Sequence, residues 1–165
     1  MREALTQAIE AQPDEPWFYF NRAPAWSLDV EPDFERAAAD CAAIRDIATA
    51  MKDPLVASAG YACEANYLLN QQDELGDSSL QPHIRQALAQ ITVEDWAFPY
   101  YLRGRLNLTD LPTEARLQFA CYLLLVRDEA KPPLATLRVN TALYHLRDES
   151  RSLETLCPFS FEPSD

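Results

Sequence analysis

Apolar residues along this chain recur mostly at intervals of three and four, the period of a helix with one buried face. The clearest stretch is Asp33 to Lys52, where Phe34, Ala37, Cys41, Ile44, Ala48 and Met51 form one stripe and Glu35, Arg36, Asp40 and Arg45 lie off it. Asp33 stands where an N-cap belongs, because its short carboxylate can accept from the free N–H groups of the first turn. Leu80, Ile84, Ala87, Leu88 and Ile91 make a second stripe. Leu117, Ala120, Cys121, Leu124 and Leu125 make a third, and Leu134, Leu137, Thr141 and Tyr144 a weaker fourth. Between the stripes, Trp17 to Leu28, Leu55 to Asn70 and Glu94 to Leu108 read as further helices, with Pro24 and Pro99 predicting a kink or a late start. Gln71 to Ser79, QQDELGDSS, reads as a long surface loop, and Pro158 to Asp165, PFSFEPSD, as an irregular tail. No alternating β-branched run sits beside a hairpin turn, so the pattern predicts an all-α chain.

Composition agrees with that pattern. The chain has 165 residues, 48% of them hydrophobic and 24% charged, which supports a folded core and one domain over 1–157. Gly60, Gly76 and Gly104 are its only glycines, too few for the turns and bulges of a sheet protein. A formal charge of −12 argues against nucleic acid and against an anionic membrane surface, and favours capture of a basic protein surface. The opening MREALTQAIEAQ lacks the apolar core of a secretory signal, and no stretch approaches membrane-span length, so the expected location is cytoplasmic. Cys41, Cys63, Cys121 and Cys157 are scattered, with no CxxC pair; they read as small buried hydrophobes in preference to a disulfide framework.

Two segments carry a further pattern. FYFNRAPAW, Phe18 to Trp26, is followed by DFERAAADCAAI, Asp33 to Ile44; YYLRGRL, Tyr100 to Leu106, is followed by LPTEARLQFACYL, Leu111 to Leu123. Each pairs an aromatic helix carrying one small residue, Ala23 or Gly104, with a helix placing Ala37 and Cys41, or Ala115 and Phe119, at small and bulky positions. This resembles the tetratricopeptide repeat. Tyr61, Ala65 and Leu68 with the stripe from Leu80 to Ile91 give a poorer middle copy, and Ala4 to Pro13 resembles the end of a preceding second helix. The small residues Ala23, Ala65 and Gly104 stand about forty apart, wider than the ~34 of that family. The resemblance implies antiparallel hairpins stacked as a short right-handed solenoid of about seven helices, whose first helices line a groove for a partner. The matching positions are Trp17, Phe20, Asn21, Tyr101, Leu102 and Arg105.

Catalytic chemistry finds little support in these residues. His83 and His145, the two histidines, are isolated from each other and from any metal-like spacing. The acidic run Asp29, Glu31, Asp33 and Glu35 sits at a helix start, where the dipole favours carboxylates. No phosphate loop, zinc motif or nucleophile elbow occurs. The expectation is a non-enzymatic protein without cofactor or metal, an adaptor or chaperone-type module binding another protein through its aromatic first helices and its acidic run. The alternatives are an acidic immunity protein or antitoxin that covers one basic toxin and, less favoured, an enzyme with a carboxylate pair in a helical pocket.

Overall fold

In a computed structural model of the chain, residues 1–127, 133–147 and 151–157 are described, with backbone alone at 133–136. Among them are nine α-helices and no strand, where the resemblance implies about seven helices. They are α1 (Arg2–Ala11), α2 (Pro16–Ser27), α3 (Phe34–Met51), α4 (Pro54–Leu75), α5 (Gln81–Ala89), α6 (Ala97–Asn107), α7 (Pro112–Leu125), α8 (Pro133–Leu146) and α9 (Leu153–Leu156), with a 3₁₀ turn at Ser78–Leu80. The chain forms two compact units, Met1–Val93 and Glu94–Asp165. The predicted tail, 158–165, lies outside the described residues.

In the first unit, the helix starts follow local chemistry. Asp33 accepts from the Arg36 N–H at 2.9 Å, and Asp53 accepts from the N–H groups of Leu55 and Val56 ahead of Pro54. Pro24 lies within α2 without ending it. Arg22 meets Asp40 and Trp26 meets Arg36, the descending pairing of an antiparallel α2/α3 hairpin. Cys41 meets Cys63, and Arg45 meets Gly60 and Tyr61, so α3 and α4 form a second one. The predicted α3 stripe is buried from Ala37 to Ala48, whereas Met51 is exposed. Ile84, Ala87, Leu88 and Ile91 are buried as the second stripe predicts. Polar ties cross this core: Asn70 Nδ2 donates to Ser27 Oγ at 2.9 Å, and Arg22 grips Asp40 with two hydrogen bonds, at 3.0 and 2.7 Å. The predicted loop from Gln71 begins late. Gln71 to Leu75 continue α4, since nothing in QQDEL opposes a helix, and the left-handed Gly76 (φ 64°) ends it.

In the second unit, α6 starts late, at Ala97, which puts Pro99 in its first turn. α6 and α7 form an antiparallel hairpin closed on Gly104. A Cβ at that position would lie 2.6 Å from the Phe119 ring, so only glycine admits this approach. Phe119 is wholly buried, 6.1 Å from Tyr101 and stacked on His145 at 5.4 Å. Along the third stripe Ala120 and Cys121 are buried and Leu117, Leu124 and Leu125 half-buried. The fourth stripe is corrected: Val139, Ala142 and Leu146 form the buried face of α8, and Leu137 and Tyr144 are exposed. Leu134 lies outside the residues whose side chains are described. Both helix faces carry apolar residues, so periodicity alone could not choose between them.

The cysteines are also corrected. They are buried, but as two disulfides: Cys41–Cys63 joins α3 to α4, and Cys121–Cys157 joins α7 to the end of α9. Their separations of 22 and 36 residues carry no local motif, which is why sequence spacing missed them.

Candidate interaction surface

The segment 28–33 between α2 and α3 is braced at its base. The Asp33 N–H donates to the Trp26 carbonyl at 3.0 Å, closing the loop across its neck. Arg2 pairs with Asp29 at 2.7 Å, holding the loop to α1. Arg36 pairs with Asp33 at 3.2 Å. The guanidinium groups of Arg2 and Arg36 each lie 4.7 Å from the Trp26 ring, an arrangement whose attraction comes from the negative ring face. Beside this base is a cleft of about 570 Å³ lined by Arg2, Glu3, Thr6, Trp26 and Arg36. The Trp26 Nε1 is buried without an acceptor among the described residues.

On that base the tip displays apolar surface. Val30 is 96% exposed and Leu28 60%. Glu31 and Glu35 flank them, exposed and with no partner among the described residues. The four acids singled out in the sequence therefore divide: Asp29 and Asp33 hold the loop in place, and Glu31 and Glu35 face outward.

The aromatic positions also divide. Trp17 is 37% exposed and stands edge-on to the half-buried Phe20 at 5.6 Å. Asn21 is exposed, its amide donating to the Trp17 carbonyl at 2.7 Å. Trp17 lies at the opposite end of α2 from the loop, about 16 Å along the axis from Leu28 at 1.5 Å per residue, with Phe20 and Asn21 about 10–12 Å from it. In the second unit, Tyr101 and Leu102 are 8% and 0% exposed and pack in the core, so neither presents a surface; Arg105 is half-buried. An aromatic helix buried on nearly all sides gives no sequence signal separating core rings from groove rings. Leu28 and Val30 were missed, although two apolar residues among acids and a proline, off every stripe, are a legible sign.

No group of three His, Cys, Asp or Glu among the described residues is placed to hold a metal. His83 is exposed. His145 is pushed below its ordinary value by burial and secondarily by Arg147, which keeps it neutral against Phe119. Arg138 lies 4.0 Å over the Phe98 ring, and burial lowers its pKa. No helix of the described residues is long and apolar enough to cross a membrane. Comparison with protein-family models, with curated proteins and with solved structures finds no match.

Proposed function

We propose that this chain is a non-catalytic binding module, built of tetratricopeptide-like helix hairpins, that docks a protein partner on the α2–α3 loop. The observation that carries the reading is the tip on its braced base, with Val30 and Leu28 in solvent and two uncommitted carboxylates beside them. Burying each apolar side chain would contribute about 1.5–3 kcal/mol. The base is already ordered by Arg2, Asp33 and Trp26, so little conformational entropy remains to be lost on docking. Glu31, Glu35 and the charge of −12 favour a partner with basic residues around an apolar hollow. Trp17 and Phe20 would serve as a second, separate contact.

The same surface suits a dedicated neutraliser of one basic protein, such as an immunity protein or antitoxin; the two roles differ in tightness. The disulfides bear on location. Structural disulfides persist where thiols stay oxidised, so this proposal replaces the cytoplasm with an oxidising compartment. The test is capture from the source organism's own extract on immobilised protein, at two salt concentrations, beside a Leu28→Asp/Val30→Asp variant. The reading predicts a basic protein retained by the native chain, less so at high salt, and lost with the variant. Equal retention by the variant would exclude the loop as the docking surface.

A further inference from the structure

A second hollow, of about 300 Å³, opens where α3 turns into α4. Ala48, Pro54 and Ala57 give it apolar walls, and Arg45, Lys52 and Tyr61 bring polar groups to it. Small-molecule sites commonly combine a largely apolar hollow with a few convergent polar groups. Three observations make this one unusual in so acidic a chain.

The first is Lys52, one of only two lysines, the other being Lys131. It follows α3 in the left-handed conformation, φ 56°, where side chains with a Cβ are disfavoured. The chain uses glycine for the same role after α4, at Gly76. Lys52 is exposed, and its ammonium has no partner among the described residues.

The second is the route of Arg45. A Cβ on Gly60 would lie 2.6 Å from Arg45 Cγ, so this glycine clears the space that the arginine stem crosses. Arg45 Nη1 donates to Glu64 at 2.6 Å, and the guanidinium lies 5.8 Å from the Tyr61 ring. The fork is thereby fixed with further N–H donors uncommitted, and the Tyr61 hydroxyl is also uncommitted.

The third is charge. Asp53, also in the lining, is occupied by the N–H groups of Leu55 and Val56. Glu64 balances Arg45 and the helix-start N–H groups hold the Asp53 carboxylate, so Lys52 is the cation of the lining left to meet one negative charge on a ligand.

We propose that this hollow binds a small organic monocarboxylate. Its carboxylate is held between Lys52, the free edge of Arg45 and the Tyr61 hydroxyl, and its short aliphatic body rests on Ala48, Pro54 and Ala57. The probe is hexanoate, titrated into the full chain while the methyl resonances of Ala48 and Ala57 are followed by NMR. The expected result is saturation at one site with a dissociation constant on the order of 1 mM, as befits a ligand of so few atoms. Hexan-1-ol and inorganic phosphate at the same concentrations and ionic strength should leave those resonances in place. Lys52→Gly removes the charge while suiting the left-handed backbone, so it should fold at least as well and weaken hexanoate about tenfold; Tyr61→Phe should weaken it severalfold. Failure of hexanoate to saturate, equal response to hexan-1-ol or phosphate, or unchanged affinity in folded Lys52→Gly would each overturn the proposal.

Discussion

Replacing Cys41 and Cys63 together by alanine releases the covalent tie between α3 and α4. The bond closes 22 residues, and the chain-entropy relation for a loop of that size gives about 3.4 kcal/mol of lost stability. Both cysteines are buried, at 0% and 4% exposure, and alanine fills their place without introducing a polar group, so the entropic term should dominate. Domains are stable by only about 5–15 kcal/mol, so the change is large. At about 2–4 °C per kcal/mol for a chain of this size, the thermal midpoint should fall by roughly 7–14 °C. The assay is urea unfolding followed by far-ultraviolet circular dichroism, with a count of alkylatable thiols by mass spectrometry on the unreduced native chain. The native chain should show no free thiol. A loss under about 1 kcal/mol, or labelling of Cys41 or Cys63 before reduction, would mean that this bond does not tie α3 to α4. The companion replacement of Cys121 and Cys157 opens a 36-residue loop worth about 3.8 kcal/mol. It should also release α9, whose four residues are too few to persist as a helix alone, seen as lost hydrogen-exchange protection at Leu156.

Gly104→Ala should destabilise by about 1–2 kcal/mol in urea unfolding, because overpacking against the caged Phe119 ring outweighs the ~1 kcal/mol helix preference for alanine; a stabilised variant would mean that the ring yields. Asp40→Asn leaves Arg22 uncompensated at a pair only 15% and 5% exposed, and should cost about 3–5 kcal/mol by the same measurement; a loss below 1 kcal/mol would mean that water reaches the site. His145 has a lowered folded pKa, so the unfolded chain takes up its proton first as pH falls below about 6.5. Its contribution is therefore full at neutral pH and declines from pH 6.5 downward through its folded value. His145→Gln should flatten that part of the stability profile, and an unchanged profile would contradict the assignment.

Most of the helical fold is legible because proline, aspartate caps and three-four spacing act locally. Asp33 and Asp53 mark helix starts as their side chains dictate, and Gly104, a lone small residue among bulky ones, marks a close helix contact. The legible part ends where an outcome depends on distant neighbours. α8 carries leucines and small apolar residues on opposite faces, and only its packing on α7 decides that Val139 and Ala142 turn inward. The disulfides join residues far apart, so each cysteine alone reads as an ordinary buried hydrophobe. The candidate surface divides in the same way. The acidic run is plain in the sequence, but Asp29 and Asp33 are paired with Arg2 and Arg36, and that division follows from how α1 and α3 flank the loop. Tyr101 and Leu102 match a groove pattern in sequence and are core in the structure.

The claim that the α2–α3 loop captures a basic partner is tested most directly by stopped-flow association of the captured protein with the native chain and with a Glu31→Lys/Glu35→Lys variant, from low to physiological salt. The expected result is an on-rate for the native chain that falls about tenfold or more as salt rises, and a variant that starts slow and is nearly insensitive to salt. Equal on-rates and equal salt dependence for the two chains would contradict it.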